Sequence, residues 1–134
     1  MKTPMNSVLE PQTTPADTTA TVAHATRPPA IRQISATQLK AMMDAGGTLE
    51  LIDVRTASER EVAVIEGSRL LDQRCHDALL AMDRSTPIVF ACHHGVRSQA
   101  AAHHYLREGF RNLHNLLGGI DAWSHDVDPT VPRY

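Results

Sequence analysis

The chain has 134 residues, a formal net charge of −2 and 21% charged residues, a length that suits one domain with one modest core. That charge excludes the basic field that nucleic acid or an anionic membrane surface needs, and 4% aromatic residues leave too few rings for a base-stacking platform. No apolar run approaches the ~18 residues that span a bilayer, so no nucleic-acid or membrane partner is expected.

Residues 1–29 are rich in Thr, Pro and Ala and carry no apolar period. They read as a disordered or loosely attached tail, with a short partner-binding segment as the alternative. They also lack the apolar stretch of a secretory signal, and Glu10 and Asp17 interrupt any transit-peptide pattern. A cytoplasmic location is therefore expected. With only Cys75 and Cys92 in the chain, free thiols are expected rather than a disulfide framework.

The domain is expected over residues 30–134. IRQI, from Ile31, is an edge-strand candidate. SATQLKAMMDAGG follows as a helix: Ser35 caps it, Gln38 completes a capping box, Leu39, Met42 and Met43 form the apolar stripe, and Gly46 or Gly47 stops it. LELIDVR predicts a strand over 49–54, TASERE a short helix capped by Thr56 or Ser58, and SRLLD a third strand. HDALLAMD predicts a helix with Leu79, Leu80 and Met82 facing inward. After Pro87, IVFAC is a continuous apolar run, the pattern of a buried parallel strand. SQAAAHHYLREG predicts a helix starting at Ser98 and ending at Gly109. NLHNLL predicts a fifth strand, IDAWS a short helix after Gly118 and Gly119, and DVDPTVPRY an extended tail. Strands alternating with helices predict an α/β domain with a central, mainly parallel sheet covered on both faces.

Ligands of such sheets bind beyond the carboxyl ends of the strands. Cys92 ends the most apolar strand, and CHHGVR must turn from it into a helix, with Gly95 supplying the freedom to turn. Loop amides backed by a helix N-terminus form an anion cradle. A cysteine placed there beside Arg or His ionises at about pH 3.5–7.5 rather than 8.5. Arg97 adds a planar, permanently charged fork for an oxyanion. These residue types assign Cys92 as nucleophile, Arg97 as its charged partner and His93, His94, Gly95, Val96 and Ser98 as the substrate-binding loop. A structural Cys at the strand end would need neither the glycine nor the arginine.

CHHGVRS, with LIDVR upstream and LLGGIDAW downstream, resembles a single-domain rhodanese, a sulfurtransferase, over roughly residues 31–134. The resemblance implies a rhodanese-like three-layer domain around a five-stranded sheet. It implies a persulfide on Cys92, with thiosulfate or another sulfane compound as donor. Cyanide, a thiol or a sulfur-carrier or redox protein would be the acceptor. Asp53 would be a structural brace and Arg55 a substrate-binding residue near the pocket, and Trp123 would anchor the core. No cofactor is implied. Arsenate reductases and phosphatases of this fold carry Cys-x5-Arg, whereas Cys92 and Arg97 are spaced Cys-x4-Arg, a smaller cradle suited to a single sulfur. A non-catalytic interaction module remains the other alternative. EREVAVIEGS departs from the family pattern, because Arg60, Ala63 and Val64 replace an aromatic, a Gly and a His.

Adjacent histidines are poorly spaced for one ion, so no metal is expected at Cys75-His76 or Cys92-His93-His94. His103 and His104 are expected on the surface. Cys75 reads as a bystander, with a role as resolving thiol as the alternative.

Overall fold

The structure, a computed structural model, describes residues 30–134. The expectations for the first 29 residues lie outside the described residues. Ten elements follow in order: β1 (Ile31–Ile34), α1 (Ala36–Asp44), β2 (Glu50–Asp53), α2 (Ala57–Val62), β3 (Arg69–Leu70), α3 (Gln73–Leu80), β4 (Ile88–Ala91), α4 (Val96–Arg107), β5 (Leu113–Leu116) and α5 (Gly119–Asp126). One five-stranded sheet forms in the order β1-β5-β4-β2-β3. Every pairing is parallel, so the sheet is wholly rather than mainly parallel. β4 lies at its centre and β1 at an edge.

Alternation along β4 builds two cores. Val89 and Ala91 join Leu39, Leu51, Leu116, Ile120 and Trp123 on one face. Ile88 and Phe90 join Cys75, Leu79, Tyr105, Phe110 and Leu113 on the other. Since successive strand side chains point to opposite faces, a strand buried on both faces must be apolar throughout, and all four residues of β4 are buried.

Local chemistry accounts for most element ends. The Ser35 hydroxyl accepts from the Gln38 amide at 3.1 Å while the Gln38 side chain accepts from the Ser35 amide at 2.7 Å. Gly46, at φ +79°, supplies the left-handed stop. Thr56 rather than Ser58 caps α2, through a second capping box with Glu59. Two starts differ from the sequence reading by more than one residue. α3 begins three residues earlier than expected, because the Asp72 carboxylate accepts from the Cys75 amide at 2.8 Å. α4 begins at Val96 rather than Ser98, because Gly95, at φ +102°, turns the chain directly into the helix. Val96 and Arg97 therefore belong to its first turn. Among the described residues, no helix is long and apolar enough to cross a membrane.

Candidate active site

Cys92 follows β4 directly, at the carboxyl edge of the sheet, and is 2% exposed. Its Sγ accepts from the Gly95 amide at 3.1 Å and the Ser98 amide at 3.4 Å. Gly95 offers no side chain to cap α4; the sulfur of Cys92 takes that part, satisfying helix-start amides that otherwise lack partners. Burial by itself raises the thiol pKa. Hydrogen bonding from the Ser98 side chain and from the amides of Ser98, Gly95 and His94 outweighs it, so Cys92 is held below the ordinary thiol value.

The Ser98 hydroxyl lies 3.3 Å from Sγ and donates to Asn115 Oδ1 at 2.5 Å. Asn115, on β5, in turn donates to Gln33 Oε1 at 2.9 Å and to the Gly95 carbonyl at 3.2 Å. Three strands thus fix the loop. From the other side, the start of α5 grips its backbone: Ile120 N–H donates to the Cys92 carbonyl at 2.8 Å and Asp121 N–H to the His93 carbonyl at 3.2 Å. This grip requires Gly119, whose φ is +59° and whose added Cβ would lie 2.3 Å from the Cys92 oxygen. The glycine pair was legible in the sequence; its contact with the Cys92 loop was not.

The Arg97 guanidinium sits at the rim, 47% exposed, paired in a fork with Glu59 at 2.8 and 3.0 Å. Glu59 raises the pKa of Arg97, burial opposes this, and the nearby Cys92 thiolate adds to the rise. The reciprocal bond holds Glu59 far below the usual carboxylate range. Val96, expected in the substrate loop, is 78% exposed, because it occupies the outer face of the first helical turn.

Asp53 and Arg55 form a buried pair. Arg55, expected near the pocket as a substrate contact, has all five of its side-chain N–H groups occupied. They go to both Asp53 oxygens, the Glu59 and Ala63 carbonyls and the Tyr134 hydroxyl. With no donor left over and 5% exposure, Arg55 braces the site rather than binding an anion. Arg60, one of the departures from the family pattern, donates to Asp53 Oδ2 at 3.0 Å and to the Ser68 hydroxyl at 2.9 Å. It thus gives Asp53 a second cation where an aromatic would have packed. Asp53, Arg55, Ser68, Ala91, Cys92 and Ile120 line a cavity of about 10 Å³, room for one water-sized group.

The His93 ring stacks on His94 at 3.9 Å and on Tyr134 at 3.9 Å, and its buried Nε2 has no hydrogen-bond partner among the described residues. His93, His94 and Asp121 bring one ligand-type atom each within 4.8 Å of the others. The imidazoles face one another in a stack, however, and both Asp121 oxygens accept from Arg133, at 2.9 and 3.1 Å. This is a salt-bridged cluster, with the carboxylate committed. Cys75 is buried in the second core, where desolvation pushes its thiol pKa up, the opposite of Cys92. His103 and His104 are exposed on α4.

Residues 35–126 match the model of the rhodanese-like domain. The chain is 34% identical over 101 residues to the thiosulfate sulfurtransferase GlpE of Stutzerimonas stutzeri, covering 75% of this chain and 91% of that protein. It is 31% identical over 93 residues to the Pseudomonas aeruginosa protein of the same name, covering 69% and 83%. The fold matches the crystal structure of a rhodanese-like domain protein from Staphylococcus aureus, with a TM-score of 0.63, 23% identity and coverage of 78% and 99%. The wholly parallel sheet, the six-residue turn from Cys92 to Arg97 and these matches agree: the chain belongs to the rhodanese-like family.

Proposed function

We propose that the protein transfers sulfane sulfur through a persulfide on Cys92. The observation that carries this reading is the Cys92 sulfur, which accepts from two backbone amides at the start of α4 with its pKa held down. The thiolate attacks the outer sulfur of thiosulfate. The donor's S–S bond breaks, and sulfite leaves with the electron pair, its charge met by Arg97 and the loop. A terminal persulfide anion remains on Cys92 beside the helix N-terminus. An acceptor then attacks that sulfur and the thiolate returns. Cyanide yields thiocyanate; a thiol, or the thiol of a sulfur-carrier or redox protein, yields a persulfide. Atoms and charge balance without an added cofactor. Thiosulfate is the donor named for the GlpE relatives, and two free thiols suit the reducing cytoplasm.

Intact mass after incubation with thiosulfate tests this. The wild type should gain the mass of one sulfur, and cyanide should remove it. Cys92→Ser should gain nothing, and Cys75→Ala should gain it as the wild type does. No adduct, together with rapid hydrolysis of aryl phosphates, would move the protein to the phosphatase class. No adduct and ordinary thiol reactivity at Cys92 would favour a non-catalytic module.

A further inference from the structure

The segment after α5 is pinned beside Cys92 at three places. Val131 is buried in the first core. Arg133 forms a two-bond fork with Asp121, the residue whose amide grips the His93 carbonyl. Tyr134 accepts from Arg55 Nη1 at 2.8 Å and donates to Glu59 Oε2 at 2.8 Å. Its ring lies on that of His93 at 3.9 Å, 6° from parallel. These partners surround the nucleophile: His93 is its chain neighbour, Arg55 lines the cavity beside it, and Glu59 holds Arg97. Tyr134 therefore bridges the rim of the cradle in which Cys92 is 2% exposed.

The bridge faces solvent on its outer side. Tyr134 itself is 40% exposed, so water is at hand to replace each of its hydrogen bonds when the ring swings out. His93, whose buried Nε2 has no partner among the described residues, packs between the His94 and Tyr134 rings.

We propose that Tyr134 is a specificity-determining residue, whose ring over His93 lets small, compact sulfane donors reach Cys92 and holds back aromatic ones. This rests on the reading of Cys92 as the sulfur-carrying nucleophile. Thiosulfate presents its outer sulfur at the end of a compact dianion and needs little clearance. Benzenethiosulfonate carries the same sulfane group on a ring that must displace Tyr134.

Alkylation of Cys92, located by peptide mass, gives a test that needs no sulfur transfer. The measured quantity is the rate with N-phenylmaleimide divided by the rate with iodoacetamide. Tyr134→Ala should raise this ratio about tenfold, the scale of losing two hydrogen bonds and a stacked ring. Tyr134→Phe, which keeps the ring and loses both bonds, should fall between. The specificity for benzenethiosulfonate over thiosulfate should rise in parallel. An unchanged ratio in a folded Tyr134→Ala protein overturns the proposal. If that variant does not fold, Arg133→Ala releases the neighbouring pin and carries the same expectation, and an unchanged ratio there overturns it equally. A raised ratio in a protein that never forms the sulfur adduct would keep the gate and reject the sulfurtransferase reading.

Discussion

Glu59 and Arg97, 38 residues apart, meet in a two-bond fork at the rim of the Cys92 loop. The fork aims the guanidinium and also sets a carboxylate at the rim of the loop, beside the path proposed for an anionic donor. Glu59→Gln removes that charge and keeps the capping box of α2, since Gln serves equally at this position. The KM for thiosulfate should fall about two- to fivefold at low ionic strength, the scale of one screened charge acting on a dianion. The difference should shrink in high salt. Steady-state kinetics in two salt concentrations check this; an unchanged KM would remove the Arg97 environment from donor binding.

Ser98 links the nucleophile to the sheet. Its hydroxyl reaches both Cys92 Sγ, at 3.3 Å, and Asn115 Oδ1, at 2.5 Å, and when turned to the sulfur it supports the thiolate. Ser98→Ala leaves the buried Asn115 oxygen unpaired and should cost about 1–3 kcal/mol in denaturant unfolding. The lowered pKa of Cys92 predicts that wild-type alkylation stays fast below the ordinary thiol range and slows as pH falls through the lowered value. In Ser98→Ala that slowing should begin at higher pH. A pH profile of iodoacetamide reaction measures both.

Gly119→Ala tests the grip of α5 on the loop. A Cβ there meets the Cys92 and His93 carbonyl groups at 2.3–2.5 Å, on a backbone at φ +59°. The cost combines steric overlap with left-handed strain, about 3 kcal/mol or more. Gly46→Ala is the control: φ is +79° there, but nothing among the described residues lies within 4 Å, so only the torsional cost of about 1 kcal/mol applies. Thermal unfolding of the two variants should separate clearly, and equal losses would show that the close approach is not needed.

The strands were readable because their signal is local. IVFAC is apolar at every position, which only a strand buried on both faces requires, and it became the centre of the sheet. The capping boxes at Ser35 and Thr56 lie within four residues of chain. What escaped depends on distant partners. The sequence pattern starts α4 at Ser98; the chain instead enters the helix at Val96, where the acceptor for the Ser98 amide is the Cys92 sulfur, and no helix propensity encodes a cap supplied by a cysteine six residues back. Arg55 follows Asp53 at a strand end, where a ligand contact is natural, but its N–H groups are used up by the Asp53 carboxylate, by carbonyls four and eight residues on and by a hydroxyl 79 residues on. Tyr134 sits in a proline-containing stretch with no period, and its place on His93 exists only after the fold has formed.

His114 should make the fold sensitive to mild acid. It lies on β5 with 4% exposure, its Nδ1 3.3 Å from the Ile88 carbonyl. Burial lowers its pKa, the Ile88 carbonyl opposes this, and Arg32 adds to the lowering. In the unfolded chain the ring titrates near pH 6.5. Between that value and the lowered folded one, the unfolded state binds a proton that the folded state refuses, so stability rises with pH across the window and falls as the solution is acidified. One group contributes a slope of at most about 1.4 kcal/mol per pH unit. The carboxylates with lowered values, Asp53 and Glu59, act below their unfolded values of about 4, outside this window. The unfolding free energy should therefore decline from about pH 7 toward pH 5, and His114→Gln, which keeps a side-chain donor without the titration, should flatten the decline. Chemical denaturation at several pH values decides the matter; an equal slope in the variant would assign the acid sensitivity elsewhere.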